Sequence, residues 1–184
     1  ERLPLAIGDP DDQTGRVVNL VHARAYGDRF TFVEADIRDP GLGEVFARSE
    51  PEVVMHLAAN PGVQPSVEDP RFDASVNIDG LLAVLDACVS AGALKVVFAA
   101  SGGTLYGEPD PTALPITEAA IGSGEPRSPY GITKKAALAY LSFYRRVRGL
   151  DFTALALANV YGPRQDPFAM SSIRNRPKSC SPTA

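Results

Sequence analysis

Short continuous apolar runs alternate with longer stretches of helical period along this chain. "LPLAIG" (3–8), "RFTFVEAD" (29–36), "PEVVMHLAA" (51–59), "LKVVFAAS" (94–101) and "DFTALALAN" (151–159) read as strands, rich in β-branched and apolar residues. Between them, "GRVVNLVHARAYG" (15–27) predicts a helix closed by Gly27, and "GLGEVFARS" (41–49) predicts a short helix after a Pro-Gly break. "DASVNIDGLLAVLDACVSAG" (73–92) places Val76, Leu81, Leu82, Leu85, Cys88 and Val89 at helical spacing, with Gly92 at its end. A further helix opens at "SPYGITKKAALAY" (128–140) and runs to 147. The strands show no in/out alternation, so both faces are expected to be covered. Their alternation with helices makes the sheet parallel. The expected fold is α/β, a doubly wound Rossmann-type domain over residues 1–167.

In such folds ligands bind at the carboxyl ends of the strands. Those ends are Asp9, Asp36, "LAAN" (57–60), "ASGGT" (100–104) and "ANVYG" (158–162), all small, polar or acidic. The stretch 168–184 is polar and lacks periodicity, and is expected to be disordered or foreign to the fold.

Composition narrows the class. Of 184 residues, 45% are hydrophobic and 22% charged, ordinary values for one globular domain. A formal charge of −4 leaves no footprint for nucleic acid. No apolar run nears the ~20 residues that span a bilayer, and no leader pattern opens the sequence. Cys88 lies in an apolar run and Cys180 in the polar tail. They show no metal-ligand spacing, so no metal is expected and a cytoplasmic setting is.

Tyr130 and Lys134 stand one helical turn apart, after Pro129 in the opening turn. A phenol titrates near ~10, too high for a base at neutral pH, and a neighbouring cation lowers that value. Lys134 is therefore expected to lower the Tyr130 pKa. The bland reading is a surface helix with one tyrosine and some lysines. Ser101 strengthens the chemical reading. It ends a strand, two glycines follow it, and its hydroxyl suits a reacting sugar oxygen.

"VVFAASGGTLYGE", "SPYGITKKAAL" and "LALANVYGPRQDP", with "FVEADIRDP", "VVMHLAAN" and "SVEDPRFDASVNIDGLLAVL", together resemble the extended short-chain dehydrogenase/reductases. Within that group they resemble the UDP-glucose 4-epimerase-type enzymes of the NAD-dependent epimerase/dehydratase family. The resemblance runs from about Leu3 to Pro167. It implies a catalytic triad of Ser101, Tyr130 and Lys134. It implies NAD as cofactor, with Asp36 and Ile37 at the adenine and Leu57, Ala58 and Ala59 in the turn beneath it. Asn77 matches a buried asparagine near the active site, and Thr104 and Asn159 fall where the sugar nucleotide is held. Asp9 or Asp11 would meet the adenosine ribose, and the irregular "GDPDDQTGR" leaves that choice open. The implied reaction is 4-epimerisation of a nucleotide sugar. Tyr130 takes the 4-hydroxyl proton, hydride passes from C4 to NAD, and hydride returns to the other face of the keto sugar. A homodimer built on the helices at 73–92 and 129–147 is also implied.

Related 4,6-dehydratases place Thr-Asp-Glu where this chain has "SGGT", so epimerisation is favoured over dehydration. Uronic acids and N-acetyl sugars stay open. So do another extended-family oxidoreductase and a non-catalytic dinucleotide-binding module, although sensor-type relatives often lack the tyrosine and lysine. Two departures stand out. The family opens with a strand and a G-x-x-G-x-x-G turn whose helix holds the pyrophosphate, and no such stretch occurs here. After "GPRQDP" the family continues into a substrate domain, where this chain has its polar tail. On that pattern the chain lacks the first, central strand of the order 3-2-1-4-5-6. The 184-residue polypeptide alone is expected to bind NAD poorly and to turn over nothing.

Overall fold

The computed structural model describes residues 20–107, 112, 115–120, 124–158 and 160, together with the backbone of 5–8. Asp9, Asp11, Asn159, Cys180 and the stretch 168–184 lie outside the described residues.

Five parallel strands are present: β1 (Leu5–Gly8), β2 (Thr31–Glu34), β3 (Val53–His56), β4 (Lys95–Ser101) and β5 (Asp151–Leu157). They form two hydrogen-bonded groups among the described residues, β1–β2 and β3–β4–β5. The helices are α1 (Val21–Arg24), α2 (Leu42–Ser49), α3 (Val63–Glu68), α4 (Pro70–Ala74), α5 (Leu81–Ser90), α6 (Gly102–Leu105) and α7 (Pro129–Arg148). A π-helical turn, Ser75–Gly80, joins α4 to α5, so the expected helix at 73–92 is one continuous rod with a widened turn inside it. Helix α3 occupies a stretch to which the apolar pattern assigned no element.

The core lies on one face of β3–β4–β5. There Val96, Phe98 and Ala100 of β4 meet Leu81, Val84, Leu85 and Cys88 of α5 and Ala137, Leu141 and Tyr144 of α7. Burial pushes the Cys88 thiol up to about 12, which makes it an inert core group. Leu42 and Phe46 anchor α2 to α5. A Cβ at Gly80 would lie 2.5 Å from Ile37 Cδ1, so any larger residue there would displace the Ile37 side chain. The absence of a Cβ lets the turn after β2 close onto the π turn.

The expectation that the strands are covered on both faces does not hold for the described residues. Met55 and Leu57 are 64% and 65% exposed, and Val53, Leu155 and Leu157 share that openness. No described element packs over that face, so the apolar runs of β3 and β5 use only half their burial capacity.

Helix α7 begins and ends on local signals. The Ser128 hydroxyl accepts from Gly131 N at 3.1 Å, Pro129 occupies the first turn, and Gly149 closes the helix at φ +73°. The opposite charges of Arg145 and Asp151 meet at 3.4 Å just beyond it. Ser128→Ala should lower stability by about 1 kcal/mol in urea unfolding, with Ser128→Asp recovering most of that loss.

His56 ends β3, buried and stacked on Phe98 with ring centroids 5.8 Å apart. Burial, helped by the nearby Lys134 charge, lowers its pKa from 6.5 to about 4. The unfolded chain therefore takes up a proton below 6.5 that the folded chain refuses until about 4. Stability is present above 6.5 and is lost as pH falls through that window. His56→Phe should remove an acid-destabilisation step of about 2 kcal/mol between pH 7 and pH 5, read by urea midpoints at the two pH values.

Candidate active site

Ser101 is the last residue of β4, and Tyr130 and Lys134 lie on the first turns of α7. Helix α7 buries a stripe at 134, 137, 141 and 144, spaced to face one side, and Lys134 occupies its first position. Packing of that stripe carries the lysine inward until only 4% of it is exposed. Its Nζ donates to the Ala99 carbonyl at 2.8 Å and lies 4.7 Å from the Phe98 ring centroid and 5.7 Å from that of Tyr130. Desolvation lowers the Lys134 pKa to about 8, opposed by the charge of Asp73. Among the described residues the one hydrogen bond of Lys134 leaves two N–H donors of the ammonium for a ligand.

Tyr130 departs from expectation. Its pKa is raised, not lowered, because burial disfavours the phenolate. A hydrogen bond from Ser101 pulls it back down and the Asp73 charge pushes it further up. The Lys134 ammonium lies 5.7 Å from the Tyr130 ring centroid and donates to the Ala99 carbonyl, and burial rather than this cation sets the direction of the Tyr130 shift. Thr104 sits one turn past Ser101 and donates to the Ser101 carbonyl at 3.2 Å.

A buried polar cluster backs the pair. The Asp73 carboxylate accepts from Asn77 Nδ2 at 2.9 Å, from Asn60 Nδ2 at 3.3 Å and from Thr133 Oγ1 at 2.9 Å. Asn60 N donates to Asn77 Oδ1 at 2.8 Å. Asn77 is thus buried against Thr133 of α7. Asp73, Thr133 and Asn60 are functional candidates that the sequence reading passed over. The available signal was two polar residues, 73 and 77, four apart on one face of an otherwise apolar helical pattern.

The turns after β2 and β3 hold the other predicted residues. Asp36 and Ile37 follow β2, and Arg38 forks onto the Asp36 carboxylate in a salt bridge. That cation holds Asp36 below the ordinary carboxylate range. Arg38 also donates to Ser75 Oγ at 3.0 Å and lies 5.2 Å from the Phe72 ring centroid, so the β2 turn is tied to the π turn. Leu57 and Ala58 are exposed and Ala59 half-buried. Among the described residues, nothing covers Leu57 and Ala58 at the end of β3. The structure thus brings Ser101, Thr104, Tyr130, Lys134 and Asn77 together.

The sequence pattern of the NAD dependent epimerase/dehydratase family matches residues 11–176. The UDP-glucose 4-epimerase of Mycolicibacterium smegmatis is 44% identical over 167 residues, which are 91% of this chain and 52% of that protein. The crystal structure of UDP-glucose 4-epimerase from Thermotoga maritima, with UDP-glucose, superposes with TM-score 0.79 at 38% identity, covering 89% of this chain and 50% of that one. The Thermus thermophilus UDP-glucose 4-epimerase in complex with NAD gives 0.77 at 38% identity, covering 88% and 49%. This chain spans about half the length of the relatives it matches. The resemblance carried by the motifs therefore holds across nearly the whole sequence, and the chain belongs to the NAD dependent epimerase/dehydratase family.

Proposed function

We propose that this chain carries the acid/base half of an NAD-dependent sugar-nucleotide 4-epimerase of the UDP-glucose/UDP-galactose type. The observation that carries this reading is the convergence of Ser101, Tyr130 and a buried Lys134 at the carboxyl end of β4. The residues present fit the cofactor. Two donors of Lys134 remain for ribose hydroxyls, the end of β3 is open at Leu57 and Ala58, and the Asp36–Ile37 turn lies beside the π turn. Asp9 or Asp11 would meet the adenosine ribose. NAD, when bound, supplies the reversible redox step at sugar C4 and a positive ring that opposes the burial penalty on the Tyr130 phenolate.

Tyr130 Oη removes the proton from the sugar 4-hydroxyl and returns it after the sugar has turned over. Ser101 Oγ hydrogen-bonds the same oxygen and holds it against the phenol. Lys134 orients the ribose and keeps positive charge near the reacting oxygen. Thr104 lines the sugar-nucleotide side, and Asn159 is assigned to the same ligand by the family resemblance alone. Substrate specificity and the cytoplasmic setting belong to the same proposal.

A second copy of this chain is the proposed partner. Ile132, Tyr140, Phe143 and Val147 form an exposed apolar stripe along α7, and Val63, Val67 and Phe72 extend it on α3 and α4. Charge at its centre should break the pairing. Phe143→Asp should halve the mass seen by light scattering at micromolar concentration, and an unchanged mass would dismiss this interface.

Two measurements test the reaction. The purified 184-residue chain should bind NAD weakly in calorimetry and give no detectable conversion of UDP-galactose, and measurable turnover would refute that expectation. Residues 20–158 grafted in place of the matching half of the Mycolicibacterium enzyme should interconvert UDP-glucose and UDP-galactose. Tyr130→Phe in that graft should cut kcat by roughly 100-fold or more with the thermal midpoint unchanged. Retained turnover would remove Tyr130 from its role.

A further inference from the structure

We propose that Asp73 is a positioning residue that locks the Tyr130–Lys134 end of α7 against the turn after β3 and supplies the negative charge facing Lys134. Asp73 has no exposed surface, and its three hydrogen bonds reach three separate pieces of chain. Asn60 belongs to the turn after β3, Asn77 to the π turn, and Thr133 to α7 directly beside Lys134. Three donors converging on two oxygens form the arrangement that suits an anion.

Holding a helix would not by itself require a carboxylate. A buried ion costs several kcal/mol unless it is paired, and a neutral or apolar set of similar volume often holds a core as well. Desolvation raises the Asp73 pKa, and its hydrogen bonds to Thr133, Asn60 and Asn77 oppose that rise, as does the charge of Lys134. The remaining neighbours of Lys134 are the Ala99 carbonyl, the Phe98 and Tyr130 rings, and His56 on β3, which is neutral above about 4. Among the described residues, Asp73 is the anion that favours the Lys134 ammonium. The same anion disfavours a Tyr130 phenolate. Asp73 thus biases the resting pair toward neutral phenol and charged ammonium.

An asparagine can replace Asp73 without changing its shape. Its carbonyl oxygen can accept from Asn77 and Asn60. Its amide can donate to Thr133 Oγ1, whose single proton then turns to the Tyr130 carbonyl, already 3.1 Å away. The charge is lost while the hydrogen bonds are rewired.

Asp73 bears on turnover only through the roles of Tyr130 and Lys134 proposed above. Its coupling to Lys134 can be read whether or not the chain turns over a sugar nucleotide. The 184-residue chain carrying 13C at lysine Cε is titrated by NMR, with the Lys134 signal identified by its loss in Lys134→Met. The Lys134 midpoint near pH 8 should fall by roughly one unit in Asp73→Asn. It should hold in Thr133→Val, which removes a hydrogen bond and leaves the charge. An unmoved midpoint in folded Asp73→Asn overturns the proposal, and so does an equal shift in Thr133→Val. If Asp73→Asn does not fold, the wild-type chain decides. The Asp73 carboxyl 13C signal should step as Lys134 loses its proton near pH 8, and a flat signal across that range overturns the coupling.

Discussion

Burial of one face of α7 sets the terms for the rest of the molecule. Lys134, Ala137, Leu141 and Tyr144 lie on a single stripe, and the apolar three pack on β4, β5 and α5. Because Lys134 continues that stripe, docking the helix drags an ammonium into the interior. The drop of its pKa from 10.5 to about 8 corresponds to a cost on the order of 3 kcal/mol for keeping it charged. Full burial of Leu141 alone returns about 1.5–3 kcal/mol, and Tyr144 adds its ring and a 2.6 Å hydrogen bond to Asp86 on α5. The apolar part of the stripe therefore outweighs the strained lysine. The fold can hold a group poised near neutral pH because the helix is stable without its help.

The polar cluster at the head of α7 solves a second problem. Three elements meet behind the site, bringing the buried Asp73, Asn77 and Thr133 and the half-buried Asn60. Asp73 satisfies Asn60, Asn77 and Thr133 at once, so no two of these elements can shift without breaking bonds to the third. Removing one partner from such a network leaves the others unsatisfied, at about 1–3 kcal/mol each. Precision at Tyr130 is thus built behind it, in residues that need not touch a ligand. On the other side of the site, Arg38 ties the β2 turn to the π turn through Asp36, Ser75 and Phe72. Both braces use the segment from Phe72 to Asn77, which makes the widened helical turn the common strut of the candidate site.

Much was legible in the sequence, for identifiable reasons. The five strands follow from β-branched runs, and their observed bounds lie inside the expected ones because terminal residues such as Leu94 and Leu57 extend past the ladder. Helix α7 was marked by Ser128, Pro129 and the spacing of its apolar residues. Ser101, Tyr130 and Lys134 stood out as candidates because chemistry demands particular residue types at strand ends and helix starts, and the fold puts them at the end of β4 and the start of α7. The family followed from motifs in order.

Tertiary structure decided the rest. Whether a strand face is covered depends on what packs over it, so β3 and β5 read as fully buried runs yet keep Met55, Leu57 and Leu155 open. The pKa of Tyr130 depends on desolvation and on the Ser101 hydroxyl and Asp73 carboxylate near it, and none of these is a property of a four-residue spacing. The role of Asp73 exists only where residues 60, 73, 77 and 133 meet, distant in sequence and joined by one buried carboxylate. Local pattern determines which elements form and which groups can react. The electrostatic state of those groups is set by long-range packing, which no local pattern encodes.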